Sequence, residues 1–194
     1  KECVETAKIS SDDKLYVGID WANGVDNDDT VISIINDKGK QVLLQYWNDL
    51  TPTQQIDVIF GIIKPIEKQI VVIQPELNSI GTPYTDLLKD RLQVSTRNKV
   101  QGFNTTNQSK AEIVSDLQVA FEQNQISILG DEKQLRQLSV YSAEYNPKTR
   151  NVYYNAPQGL HDDICIALML SYNAFRKNKI TGSYSIGKAC MTKK

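Results

Sequence analysis

The stretch GLHDDICIALMLSY, residues 159–172, constrains this chain more than any other. From Ile164 to Leu170 it carries no charge and is apolar on nearly every face, the pattern of a helix buried all round. Yet Asp162 and Asp163 stand at its mouth, directly after His161. One aspartate is explained as an N-cap, accepting from orphan backbone N–H groups at the positive end of the helix dipole. The second sits inside the first turn, and burying a carboxylate without a partner is costly. It needs a cation, and the rest of the chain must say which.

The sequence around this helix alternates between strand and helix patterns. KLYVGIDWA (14–22), DTVISIIN (29–36) and KQVLLQYW (40–47) read as strands, and the DKG turn (37–39) favours antiparallel pairing. Thr51, Pro52 and Gln54 open a helix that Pro65 ends or kinks. IVVIQPE (70–76) is a continuous apolar run closed by a carboxylate, as in a strand buried on both faces. PYTDLLKDRL (83–92) reads as a short helix, VQGFNTT (100–106) as a short strand and ISIL (126–129) as a brief one. Between the last two, NQSKAEIVSDLQVAFEQN (107–124) has a helical apolar face at Ile113, Leu117, Ala120 and Phe121. LSVYSAEYNPKTRNVYYNAP (138–157) reads as a hairpin with NPKTRN at its tip. The expectation is an α/β fold: a mixed five-stranded sheet flanked by helices, with an added β-hairpin before the last helix. That order resembles the ribonuclease H-like fold.

Composition narrows the setting. At 194 residues the chain suits one sizeable domain, expected over 14–177. Residues 1–13 read as a polar lead-in or linker, and 178–194 as a basic tail; the lead-in and the absent initiator Met suggest a piece of a longer protein. A net charge of −1 means that any nucleic-acid surface must be a local patch. Cys3, Cys165 and Cys190 are unclustered and odd in number, which fits neither a disulfide framework nor a zinc spacing and points to a reducing cytoplasm. No apolar run approaches the roughly eighteen residues that a membrane span needs.

Two further carboxylates end apolar runs: Asp20 closes YVGID and Glu76 closes IVVIQPE. In a mixed α/β sheet, side chains at the carboxyl ends of neighbouring strands converge on one crevice. Asp20, Glu76 and the Asp162–Asp163 pair would then meet. Ionised carboxylates so close repel one another, and a hard divalent cation removes that cost. Mg²⁺ or Mn²⁺ suits the oxygen ligands, and two ions about 4 Å apart can clamp a phosphodiester. Zinc is disfavoured, because His161 is the only histidine and no cysteine lies near it in sequence.

GIDWANGVDNDDTVISI, VIQPELNSIGTPYTDLL, FNTTNQSKAEIVSDLQ and YYNAPQGLHDDICIALML, in that order, resemble the C-terminal nuclease domain of tailed-bacteriophage terminase large subunits over residues 14–175. The resemblance implies an endonuclease that cuts concatemeric double-stranded DNA during packaging in the host bacterial cytoplasm. Its implied partners, besides DNA, are the terminase ATPase domain, the small terminase subunit and the portal protein. By position it makes Asp20, Glu76 and Asp163 the catalytic metal ligands, with Asp162 and Asp29 as further candidates. His161 is a possible additional ligand. Lys110 is a candidate for neutralising a phosphate, as are Lys148 and Arg150 at the hairpin tip. The chain contains no GxxxxGK[ST] loop, so no ATP site is expected in it. Two other readings stand beside this one: a junction-resolvase or transposase-like nuclease of the same fold, and a catalytically silent DNA- or portal-binding module.

Overall fold

Strand β1 (Leu15–Asp20) is buried along its whole length, which requires a neighbour on each edge and a layer on each face. Its neighbours are β2 (Thr30–Asn36), antiparallel, and β4 (Ile70–Pro75), parallel. β3 (Gln41–Trp47) pairs antiparallel with β2, giving a mixed sheet in the order β3-β2-β1-β4. Gly39, at φ 79°, makes the expected turn between β2 and β3. The computed structural model describes residues 8–23, 28–78, 80–146, 151–157 and 161–190. Lys148 and Arg150 lie outside the described residues.

Helices follow where the sequence places signals. α1 (Pro52–Ile63) starts where Gln54 Oε1 accepts from the Thr51 N–H, and it passes at Pro65 into a single 3₁₀ turn. α2 (Gly81–Arg91) and α3 (Val94–Arg97) follow β4, and α4 (Asn107–Glu122) begins at Thr106, whose hydroxyl accepts from Ser109 N–H. Beyond them come α5 (Glu132–Val140), the hairpin β5 (Ser142–Asn146) with β6 (Asn151–Asn155), and α6 (Asp163–Cys190). α6 thus extends into the segment read as a tail.

The strand alternation sorts side chains between two layers. Leu15, Val17 and Ile19 pack with Ile56, Ile59, Ile63 and Leu88 on the α1–α2 face. Tyr16 packs on the other face with Leu117, Leu168, Met169 and Phe175 of α4 and α6. Each fully buried isoleucine or leucine contributes about 1.5–3 kcal/mol, so these layers hold the sheet. Gly18 and Asp20 share the Tyr16 face by the same alternation, as do Gln74 and Glu76, the next even steps of β4. At Gly18 the helix comes so close that a Cβ would stand 2.2 Å from Ala167 O and 2.5 Å from Ser171 N. Polar bonds complete the docking of α6. The Ser33 and Ser171 hydroxyls lie 3.1 Å apart, and Asn173 Nδ2 donates to Gln74 Oε1 at 2.6 Å.

Two expectations need correction. The fifth strand is not a full ladder among the described residues. Residues 99–103 run beside β4 and exchange backbone bonds with Ile73 and Pro75, but they pair only at the isolated bridges Ile73–Val100 and Glu76–Phe103. Leu77 packs over Gly102 at the place where a further cross-strand side chain would stand. ISIL is likewise reduced to a bridge between Ser127 and Lys40. The second correction is α5, which takes residues 138–140 from the expected hairpin. Its buried positions are Gln134 and Gln137, so an apolar periodicity never appears. Gln134 instead exchanges paired amide bonds with the buried Gln41.

The approach of α6 to β1 generates the first prediction. Gly18→Ala should destabilise the domain by at least about 2–3 kcal/mol, because the added methyl meets backbone atoms that no rotamer change can move. Urea denaturation checks this; a variant as stable as the parent would mean that α6 does not dock at Gly18.

Candidate active site

The even-numbered face of β1 and β4 ends in two acids. Asp20 closes β1, 7% exposed, and Glu76 follows β4, with its N–H donating to Ile19 O at 2.9 Å. That bond continues the parallel ladder one step and sets the two residues side by side at the carboxyl ends of neighbouring strands. Their carboxyl groups lie within hydrogen-bonding reach. Asp29, just before β2, is 4% exposed at the same end of the sheet, because β2 runs antiparallel to β1.

The start of α6 is capped from outside the helix. Gln137 Oε1 accepts from the Ile164 N–H at 2.9 Å, while Asp162 contributes its backbone carbonyl to the Ile166 N–H. The Asp162 carboxylate instead meets Lys110 Nζ of α4 at 3.2 Å. Asp163 Oδ2 accepts from the backbone N–H of Asp29 at 2.9 Å. Neither carboxylate is therefore spent on the cap at Ile164, which is why two adjacent aspartates can stand at this helix mouth. Lys110, a phosphate-neutralising candidate from the sequence, thus stands beside Asp162, with its ammonium 5.8 Å from the centre of the Tyr141 ring.

The electrostatics follow from this crowding. Burial pushes the Asp20 carboxyl well above its usual range, and the charges of Glu76, Asp163 and Asp162 push it further. Burial likewise raises Asp163 to about 6, opposed by the Asp29 N–H and reinforced by Asp28, Asp29 and Asp162. Burial in the first turn of α6 pushes the Cys165 thiol up to about 12. The donors gathered here are carboxylate oxygens, a set suited to a hard divalent cation.

Asp28 and Lys133 are participants that the sequence analysis did not name. Asp28 Oδ1 lies 3.5 Å from His161 Nδ1, which is 3.9 Å from Asp163 Oδ2. Asp28, His161 and Asp163 each offer one ligand atom within 4.8 Å of the others. The Asp28 and His161 side chains are about half exposed, however, so this trio is less desolvated than the Asp20–Glu76 pair. Lys133 of α5 pairs with the Asp29 carboxylate and lies 4.8 Å from the centre of the Tyr46 ring. The only sequence signal for α5 is its cap: Asp131 Oδ1 accepts from Gln134 N–H at 2.8 Å, and Glu132 follows in the first turn.

The same architecture occurs in phage proteins. The large terminase nuclease from thermophilic phage G20c superposes with a TM-score of 0.68 at 19% identity, covering 86% of this chain and 85% of that one. Its cobalt-bound form gives 0.67 at 20% identity, over 86% and 84% of the two chains. The large terminase nuclease domain of Thermus phage P74-26 gives 0.69 at 18% identity, over 88% and 90%. No curated protein matches the chain in sequence. A family model, the terminase RNaseH-like domain, matches residues 17–175, from the first strand through the apolar part of α6, and the chain belongs to that family.

Proposed function

We propose that this chain is the nuclease domain of a phage DNA-packaging terminase, a divalent-metal-dependent endodeoxyribonuclease that cuts concatemeric double-stranded DNA in the bacterial cytoplasm. The observation that carries this reading is the buried Asp20 carboxyl. It faces Glu76, and the charges acting most strongly on it are carboxylates. Such a pair is built to receive positive charge. The G20c relatives, whose crystals hold magnesium or cobalt, support the reading.

In this mechanism Asp20, Glu76 and Asp163 would hold Mg²⁺ or Mn²⁺, with Asp162 as a further ligand. When bound, two such ions supply the charge that activates water and stabilises the leaving oxygen. The chain's own groups prepare the place. The sheet ends fix Asp20 and Glu76, and the Gln137 cap and Asp29 N–H fix Asp163. Burial excludes water from Asp20, which strengthens every charge interaction there. Lys110, beside Asp162, is placed to neutralise a DNA phosphate. The ATPase domain, small terminase subunit and portal protein are its partners by family.

Purified domain should nick or linearise plasmid with Mn²⁺ or Mg²⁺, and EDTA should abolish this. Asp20→Asn, Glu76→Gln and Asp163→Asn should each lower the cleavage rate about a hundredfold, as loss of one transition-state contact does elsewhere. Intact cleavage in any of the three would remove that residue from the site. Preference for branched over linear duplex would favour a junction resolvase, and an inert parent with any metal would leave an assembly module.

A pH prediction follows from the raised acids. Without metal, the folded state keeps a proton on Asp163 up to about pH 6, whereas the unfolded chain releases it near 3.8. Metal-free stability should therefore fall as pH rises through that window, and Asp20, whose carboxyl is also raised by burial and neighbouring carboxylates, adds to the fall in the same direction. Asp20→Asn should flatten the profile and melt at or above the parent at pH 7.5. Mn²⁺ should raise the parent's melting temperature at pH 7.5 and much less at pH 4.5. Identical melts with Mn²⁺ and with EDTA at pH 7.5 would show that no preformed cation site exists.

A further inference from the structure

We propose that Lys133 and Asp29 are positioning residues, an ion pair that holds the Asp163 carboxylate in the orientation cation binding requires. The proposal rests on the nuclease reading above and assigns a role to a helix that the acidic motifs do not include. Asp29 touches Asp163 through its backbone: its N–H donates to Asp163 Oδ2 at 2.9 Å. Its carboxylate is turned to Lys133 Nζ, with the Asp29 side chain 5% exposed. An aspartate held by a fixed ammonium is poorly disposed to serve as a ligand itself, since ammonium and metal would compete for the same oxygens. Its service to the site is the N–H, and the ion pair fixes where that N–H points.

Lys133 is itself held in place. Its ammonium lies 4.8 Å from the centre of the Tyr46 ring, and the Tyr46 hydroxyl donates to Asp131 Oδ2 at 3.2 Å. Asp131 is the N-cap of α5, accepting from Gln134 N–H. One turn after Lys133, Gln137 caps Ile164, the residue after Asp163. α5 therefore reaches the site twice: through Lys133 and Asp29, whose N–H meets Asp163, and through Gln137 and the start of α6. Supports of this kind around a metal ligand are worth about 10–100-fold in metal affinity where they have been removed.

Mn²⁺ titration calorimetry on the whole chain tests this, with metal-free melting as the check on folding. Lys133→Met keeps an unbranched side chain of similar length and removes the charge; it should weaken Mn²⁺ binding about tenfold, and Lys133→Arg should restore it to within about threefold. Asp29→Asn should weaken binding comparably, and it keeps the inference testable should Lys133→Met not fold. The double variant should bind no more weakly than the weaker single one, because both changes break one link. Additive losses would overturn the inference and make Asp29 a ligand in its own right. Unchanged Mn²⁺ affinity in Lys133→Met, with only plasmid affinity reduced, would overturn it in favour of a direct DNA contact. A parent that binds no Mn²⁺ would sink the nuclease reading and this inference with it; a parent that binds while the variants bind equally well sinks the positioning role alone.

Discussion

The contact on which the site depends is the backbone approach of α6 to β1 at Gly18. There the helix lies against the strand without a side chain between them, with Ala167 O and Ser171 N where a Cβ would be. Asp163 is four residues before Ala167, about one helical turn, and Asp20 is two residues after Gly18, the next position on the same strand face. Fixing one crossing point therefore fixes the relation between the strand acid and the helix acid. The crossing is reinforced by Ser33 with Ser171 and by Asn173 with Gln74, which tie α6 to β2 and β4 as well. A helix held to three strands cannot slide to relieve the repulsion at its mouth.

That repulsion is accepted rather than avoided. The surrounding structure could have neutralised every acid with a lysine, and at the flanks it does so, with Lys110 on Asp162 and Lys133 on Asp29. At Asp20 the dominant neighbours are carboxylates. Local electrostatic cost at a rigid place is the pattern expected where function overrides stability.

What the sequence made legible was what repeats at a fixed period or ends an apolar run. The strands 14–22, 29–36, 40–47 and 70–76 and the buried helix all show such patterns, so the site acids at their ends could be named as candidates. α5 was not legible because its inward residues are Gln134 and Gln137, whose burial depends on partners far away in sequence, Gln41 and the Ile164 N–H. The roles of Lys133 and of the Asp29 N–H were hidden for the same reason: 104 and 134 residues separate each from its partner. The edge read at 100–106 forms only bridges beside β4, because Val100 and Phe103 pair with Ile73 and Glu76 while Gly102 between them carries no side chain to extend a ladder face.

Asp162 and Asp163 show how one dipeptide can serve two sides of a site. Successive residues at a helix start point about 100° apart, so two adjacent carboxylates leave the backbone in different directions. Asp163 turns toward the Asp29 N–H and is largely buried, whereas Asp162 turns toward α4 and meets Lys110 in a more open setting. The buried one has its pKa raised to about 6, and desolvation leads the causes. The difference has a chemical consequence. A desolvated carboxylate whose pKa is raised gains most from an incoming cation, because that cation replaces both the lost water and the held proton. A carboxylate already paired with an ammonium gains less, since the lysine must first be displaced. The physical asymmetry therefore gives Asp163 more to gain from a cation than Asp162, whose carboxylate the Lys110 ammonium already partly compensates.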